Sequence, residues 1–77
     1  MQLTIKYLGM LAETTRCSEE AHQATEKTVS ELLESLYRKY PALREKDFQV
    51  AQNHRLVSTE TELDSGELAL LPPFAGG

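Results

Sequence analysis

The segment from Thr28 to Tyr40 is the one long helical pattern in this 77-residue chain; its other periodic stretches alternate with period two. Thr28-Val29-Ser30-Glu31 reads as a capping box, with Thr28 at the N-cap and Glu31 placed to reach back to the cap amide. Val29, Leu32, Leu33, Leu36, Tyr37 and Tyr40 follow at helical spacing and form one apolar stripe. Arg38 and Lys39 fall in the last turn, where the helix dipole favours cations. Pro41 then closes the element, because the residue before a proline is pushed out of the helical region. A single stripe of this kind can cover one face of one sheet, which leaves few architectures open.

The flanking segments supply that sheet. From Gln2 to Leu8 the chain alternates, with Leu3, Ile5 and Tyr7 on one side and Thr4, Lys6 and Leu8 on the other. Gly9 and the polar stretch Glu13 to Ser18 predict a loop. A second strand over Glu20 to Ala24 is placed by context, since its residues have low strand propensity. After the charged loop Arg44-Glu45-Lys46-Asp47, Phe48 to Gln52 alternates again, Asn53-His54 reads as a turn, and Arg55-Leu56-Val57 as the return strand. A turn at Asp64-Ser65-Gly66 leads into a last strand over Glu67 to Leu71, stopped by Pro72. The order predicts an α+β domain of β-grasp type, a mixed sheet with one main helix on one face and the first and last strands side by side at its centre. Residues 1–71 form the domain, and 72–77 an extended flexible tail.

If Leu3, Ile5 and Tyr7 face the helix, Leu68 and Leu70 face it too. Alternation then leaves Leu8, Ala69 and Leu71 on the uncovered face. Leu8 and Leu71 come from strands expected to be adjacent, and Phe74 is three residues downstream, so these residues predict a partner-binding patch rather than scattered surface apolars.

Composition narrows the function classes. A hydrophobic fraction of 40% supports a folded domain, and a net charge of −4 with scattered Lys and Arg is no footprint for a phosphate backbone. Nucleic-acid binding is therefore not expected. Cys17 is the only cysteine, so it forms no internal disulfide and assembles no structural zinc or iron–sulfur site. No stretch is apolar enough to span a bilayer, and Met1 to Lys6 lacks signal-peptide features, so the expected location is the cytoplasm. His22 and His54 have no nucleophile or carboxylate at motif spacing and read as surface or hairpin residues. No metal site and no bound cofactor are expected.

The sequence ends Pro72-Pro73-Phe74-Ala75-Gly76-Gly77. A terminus of two glycines carries no side-chain bulk, which by itself fits equally a frayed end and a carboxylate able to enter a narrow channel in another enzyme. Proline donates no ladder hydrogen bond, so this tail cannot simply continue the sheet.

Taken together, the chain resembles the ubiquitin-like sulfur carriers and, more narrowly, the small subunit of molybdopterin synthase. Tyr7-Leu8-Gly9-Met10-Leu11-Ala12-Glu13 is similar to that family's first strand and turn, and Thr28-Val29-Ser30-Glu31-Leu32-Leu33 to its helix start. Val50-Ala51-Gln52-Asn53 with Leu56-Val57 is similar to its hairpin. The stretch from Glu67 through Pro72-Pro73 to Gly76-Gly77 resembles its ending most specifically. Two features depart from the pattern. The turn before the last strand is one residue shorter, and Leu70-Leu71 stand where aromatics are frequent.

The resemblance implies a chemistry. At neutral pH a C-terminal carboxylate is an anion and a poor electrophile. An ATP-dependent activating enzyme would convert Gly77 to an acyl-adenylate, and a persulfide would replace AMP to leave a thiocarboxylate. Phe74, Ala75, Gly76 and Gly77 would enter the large subunit of the synthase, in a heterotetramer, while Leu8, Ala69, Leu71, Pro72 and Pro73 dock against it. The small chain would supply none of the catalytic groups. Two alternatives stay open: a ubiquitin-like modifier joined through Gly77 to other proteins, and the thiamine-pathway sulfur carrier, which shares fold and tail.

Overall fold

The computed structural model describes residues 1–73. Five strands and one main helix appear in the order β1 (Gln2–Tyr7), α1 (Met10–Thr15), β2 (Glu19–Gln23), α2 (Val29–Lys39), a 3-10 turn (Pro41–Glu45), β3 (Gln49–Gln52), β4 (Arg55–Val57) and β5 (Gly66–Leu71). The sheet runs β2-β1-β5-β3-β4. Its central pair, β1 and β5, is parallel, with Ile5 beside Leu68 and Tyr7 beside Leu70, and the other neighbours are antiparallel. This is the expected mixed β-grasp sheet with its termini at the centre.

Helix α2 starts where the capping box places it. The Thr28 side chain accepts from the Glu31 amide at 3.2 Å. The Glu31 carboxylate reaches one residue further back than the motif implies, accepting from Lys27 N at 3.1 Å. The cap residue is already engaged, in an isolated bridge to Glu62. Two further first-turn amides are satisfied by the loop before β5: Val29 N donates to Thr61 O at 2.9 Å and Ser30 N to Thr59 O at 2.8 Å. That loop is thereby tied to the helix start.

The stripe buries Val29, Leu32, Leu33 and Leu36 against Leu3, Ile5 and Tyr7 of β1 and Leu68 and Leu70 of β5. Ile5, Leu32, Leu68 and Leu70 are each 0% exposed. Each such side chain contributes about 1.5–3 kcal/mol by leaving water, which is why truncating one to Ala should cost about 2–5 kcal/mol. Tyr40 ends α2 as its C-cap rather than extending the stripe, and packs its ring edge-on against Tyr7 at 5.9 Å.

Two segments expected as loops are ordered turns of helix. From Met10 to Thr15 the chain forms α1, burying Leu11 and Thr15 on one side. The polar residues that suggested a loop satisfy themselves inside it, since Thr14 and Thr15 donate to the carbonyls of Met10 and Leu11. Likewise, Pro41 opens a 3-10 turn that covers the charged loop as far as Glu45 and buries Leu43. Strand β2 lies one residue earlier than the sequence suggests, and Phe48 stands just outside β3. Among the described residues, no helix is long and apolar enough to cross a membrane.

Candidate functional site: the open sheet face and the exit of the last strand

On the face that α2 leaves bare, three of the residues expected at a partner interface come together. Leu8, Ala69 and Leu71 line a concavity of about 310 Å³ together with Gln49, Ala51, His54, Leu56 and Glu67. Its floor is small because Ala51 and Ala69 are register partners on β3 and β5. Both are nearly buried, yet neither belongs to the helix-side core. Leu8 and Leu56, 40% and 62% exposed, stand as its apolar walls with the half-buried Leu71.

Ala51 and Leu56 join this face beyond the residues the sequence pattern singles out. The signal was present: Asn53-His54 makes a two-residue hairpin, so Ala51 faces Leu56 across it. Alternation then puts both on the same face as Ala69.

The polar rim is organised around Glu67. Its carboxylate receives Lys6 Nζ at 3.1 Å and lies 4.0 Å from His54 Nδ1. The Lys6 ammonium is held above its usual range, first by that hydrogen bond and then by the Glu67 charge. His54, read as a hairpin residue, is one, with a left-handed φ of 70°. His22 lies on β2 away from this site and bonds Glu26 at 3.2 Å. Cys17 is a half-buried free thiol 3.8 Å from the Tyr40 hydroxyl. Among the described residues, no group of three or more His, Cys, Asp or Glu is arranged to hold a metal ion.

A larger groove of about 440 Å³ lies between α2 and the β3–β4 hairpin, lined by Leu33, Tyr37, Phe48 and Val57. Leu71 and Pro72 take no part in it. The smaller concavity is the one continuous with the end of β5.

That end is encoded by hydrogen-bond supply. Leu8 N donates to Leu70 O at 3.1 Å, one step past the last paired residues of β1 and β5. In a parallel ladder the next bond would run from the amide of residue 72 to the Leu8 carbonyl. Pro72 has no such amide. The Leu8 carbonyl is instead taken by Leu11 N at 3.1 Å, in the first turn of α1. The sheet therefore stops at Leu71, and Pro72 and Pro73 follow it at the edge of the apolar face. Phe74, Ala75, Gly76 and Gly77, expected to enter a partner, lie outside the described residues.

The same architecture occurs in archaeal proteins of known structure. A Pyrococcus furiosus protein described as molybdopterin converting factor, subunit 1, superposes with a TM-score of 0.86 at 24% identity, over 95% of this chain and 98% of that one. Small archaeal modifier protein 1 of Haloferax volcanii gives 0.80 at 26% identity over the whole of both chains. Its Methanosarcina acetivorans counterpart gives 0.78 at 24%, over 99% and 96%. Among curated proteins, no sequence matches. Residues 5–77 match the ThiS family. As its likeness to the ubiquitin-like sulfur carriers implied, the chain belongs to the ThiS family.

Proposed function

We propose that this chain is a sulfur carrier whose Gly77 is activated as an adenylate, converted to a thiocarboxylate, and used to build the dithiolene of molybdopterin, with the chain acting as the small subunit of molybdopterin synthase. The observation that carries the reading is continuity. The strand that forms the middle of the apolar face, β5, runs directly into Pro72-Pro73 and the Gly-Gly sequence, so surface and tail are one piece. The large subunit docks on Leu8, Ala69, Leu71, Pro72 and Pro73, with Ala51 and Leu56 beside them, and receives Phe74 to Gly77.

In the activation step, a Gly77 carboxylate oxygen attacks the α-phosphorus of ATP and releases pyrophosphate. The terminal sulfur of a persulfide then attacks the acyl carbon and displaces AMP. A second thiol, as its thiolate, then attacks the donor-side sulfur of the resulting S–S bond, forming a disulfide with the donor cysteine and releasing the thiocarboxylate. The small domain contributes no acid or base to these steps; ATP and the catalytic groups belong to the activating enzyme and the large subunit.

The test is intact-mass spectrometry of the chain after incubation with ATP, the adenylating enzyme and a persulfide donor. Replacement of O by S adds about 16 Da at an acyl group of this kind. Deletion of Gly77 should abolish that shift and dithiolene formation while the fold persists. Normal dithiolene formation by the deleted protein would overturn the reading.

A second reading, a protein modifier joined through Gly77 to lysines, draws on the likeness to the Haloferax volcanii modifier at 26% identity. It predicts larger covalent adducts in place of the small mass increment.

A further inference from the structure

Gly9 follows β1 and holds φ 58° and ψ −134°. This backbone region is open to glycine and strained for other L residues. The space beside it is equally restricted: a Cβ at Gly9 would lie 2.8 Å from Pro72 Cγ and 3.8 Å from its Cδ. The pyrrolidine ring thus rests directly on the glycine Cα. Both prolines lack the amide that would tie them to a neighbouring strand. Among the described residues, the Pro72 ring lies against Gly9 at this point.

We propose that the Gly9–Pro72 contact sets the direction in which the C-terminal segment leaves the sheet, making both residues positioning residues for the reaction at Gly77. This rests on the carrier reading above. It separates two tasks: the apolar face determines how tightly the carrier docks, and the Gly9–Pro72 contact determines whether the docked carrier presents its terminus correctly. Misdirection of a reacting group by about 1 Å can cost up to roughly a hundredfold in rate.

Three variants test it: Pro72→Ala, Gly9→Ala and Gly9→D-Ala. The last is made by joining a synthetic 1–16 segment to a chain beginning at Cys17. A D residue is at ease at this φ and ψ, the mirror image of ordinary extended backbone, and it carries its methyl on the other side of Cα. ATP–pyrophosphate exchange with the purified adenylating enzyme of the same organism gives kcat and KM, and thermal melting gives the fold. Pro72→Ala should lower kcat about tenfold, well beyond any accompanying rise in KM, with the melting temperature unchanged. Gly9→Ala should lower kcat as well, and Gly9→D-Ala should restore it. A Pro72→Ala protein with wild-type kcat overturns the proposal. So does one whose KM alone rises, because Pro72 would then be only a docking contact. If the wild-type chain itself forms no adenylate, the carrier reading fails and the proposal with it.

Discussion

Asn53 grips the turn at Gly66: its Nδ2 donates to the Ser65 carbonyl at 3.0 Å and its Oδ1 accepts from the Glu67 amide at 2.9 Å. The Asn53 amide also donates to Glu67 O at 2.8 Å. The β3–β4 hairpin turn is therefore fastened to the start of the central strand β5, beside the carboxylate that organises the rim of the apolar face. A Cβ on Gly66 would overlap Asn53 Oδ1, and Gly66 holds a φ of 120°.

Gly66→Ala should accordingly lower the unfolding free energy by about 2–3 kcal/mol, through backbone strain and displaced hydrogen bonds. Asn53→Ala should lower it by about 1–3 kcal/mol. Because the clash partner is gone in the double variant, the two losses should sum to less than their separate total. Denaturant unfolding of the four proteins measures this, and strict additivity would show that the two residues are not coupled.

Strand β2 is held by polar contacts that its propensity does not reveal. The Glu20 carboxylate accepts from the Tyr7 hydroxyl at 2.6 Å, the Tyr40 hydroxyl at 2.7 Å and Lys39 Nζ at 2.5 Å. Burial alone would raise its pKa, but the bonds from Lys39, Tyr7 and Tyr40 outweigh burial and hold it below the usual carboxylate range. Tyr7 is 1% exposed, so Glu20→Ala strands its hydroxyl in the core and should cost about 2–3 kcal/mol. Hydrogen exchange should locate the damage: amides of Glu19–Gln23 should exchange faster relative to those of β1 and β5. Uniform acceleration across the sheet would count against a local role.

These residues also mark what is legible in the sequence. Alternation in Gln2–Tyr7 and Gly66–Leu71 and the stripe of α2 encode one-sided burial, and a pattern of apolar residues suffices to read it. The open face followed from the same rule through Leu8, Ala69 and Leu71. What escapes is structure built from polar groups, some meeting across long separations and some within one turn. Glu20 on β2 finds Tyr7, Lys39 and Tyr40, and the threonines of α1 bond to carbonyls four residues back. No local periodicity announces either. Gly9 looked like a plain turn because its requirement comes from Pro72, at the other end of the sequence.

A second carboxylate on this side sets an acid limit. Glu26 accepts from Ser35 Oγ at 2.5 Å, from the Thr25 amide at 3.1 Å and lies 3.2 Å from His22 Nε2. Burial would raise its pKa, yet the Ser35 hydroxyl, a backbone amide and His22 bring it down to about 2. A carboxyl depressed in the folded state stabilises the fold fully above its unfolded pKa. That contribution is lost as pH falls from about 4.5 towards 2. The melting temperature should therefore fall through this window, and Glu26→Gln should remove part of the slope while lowering stability at pH 7. An unchanged slope in the variant would assign the acid sensitivity elsewhere.

The concave face makes the last prediction. Ala51 and Ala69 form its floor, and the walls Leu8 and Leu56 are substantially exposed, so enlarging the floor or trimming Leu56 leaves the helix-side core untouched. Ala69→Leu should fill the concavity and weaken binding of the proposed partner, the large subunit of molybdopterin synthase, by tenfold or more, an effect of about 1.4 kcal/mol or greater. Leu56→Ala should weaken it by about 1–2 kcal/mol if Leu56 is an anchor at the contact. Neither should move the melting temperature by more than about 4 °C, the scale of a 1 kcal/mol change in a domain of this size. Calorimetric titration of the purified large subunit from the same organism gives the affinities. Wild-type binding by both variants would remove this face from the interface and leave the tail as the sole attachment.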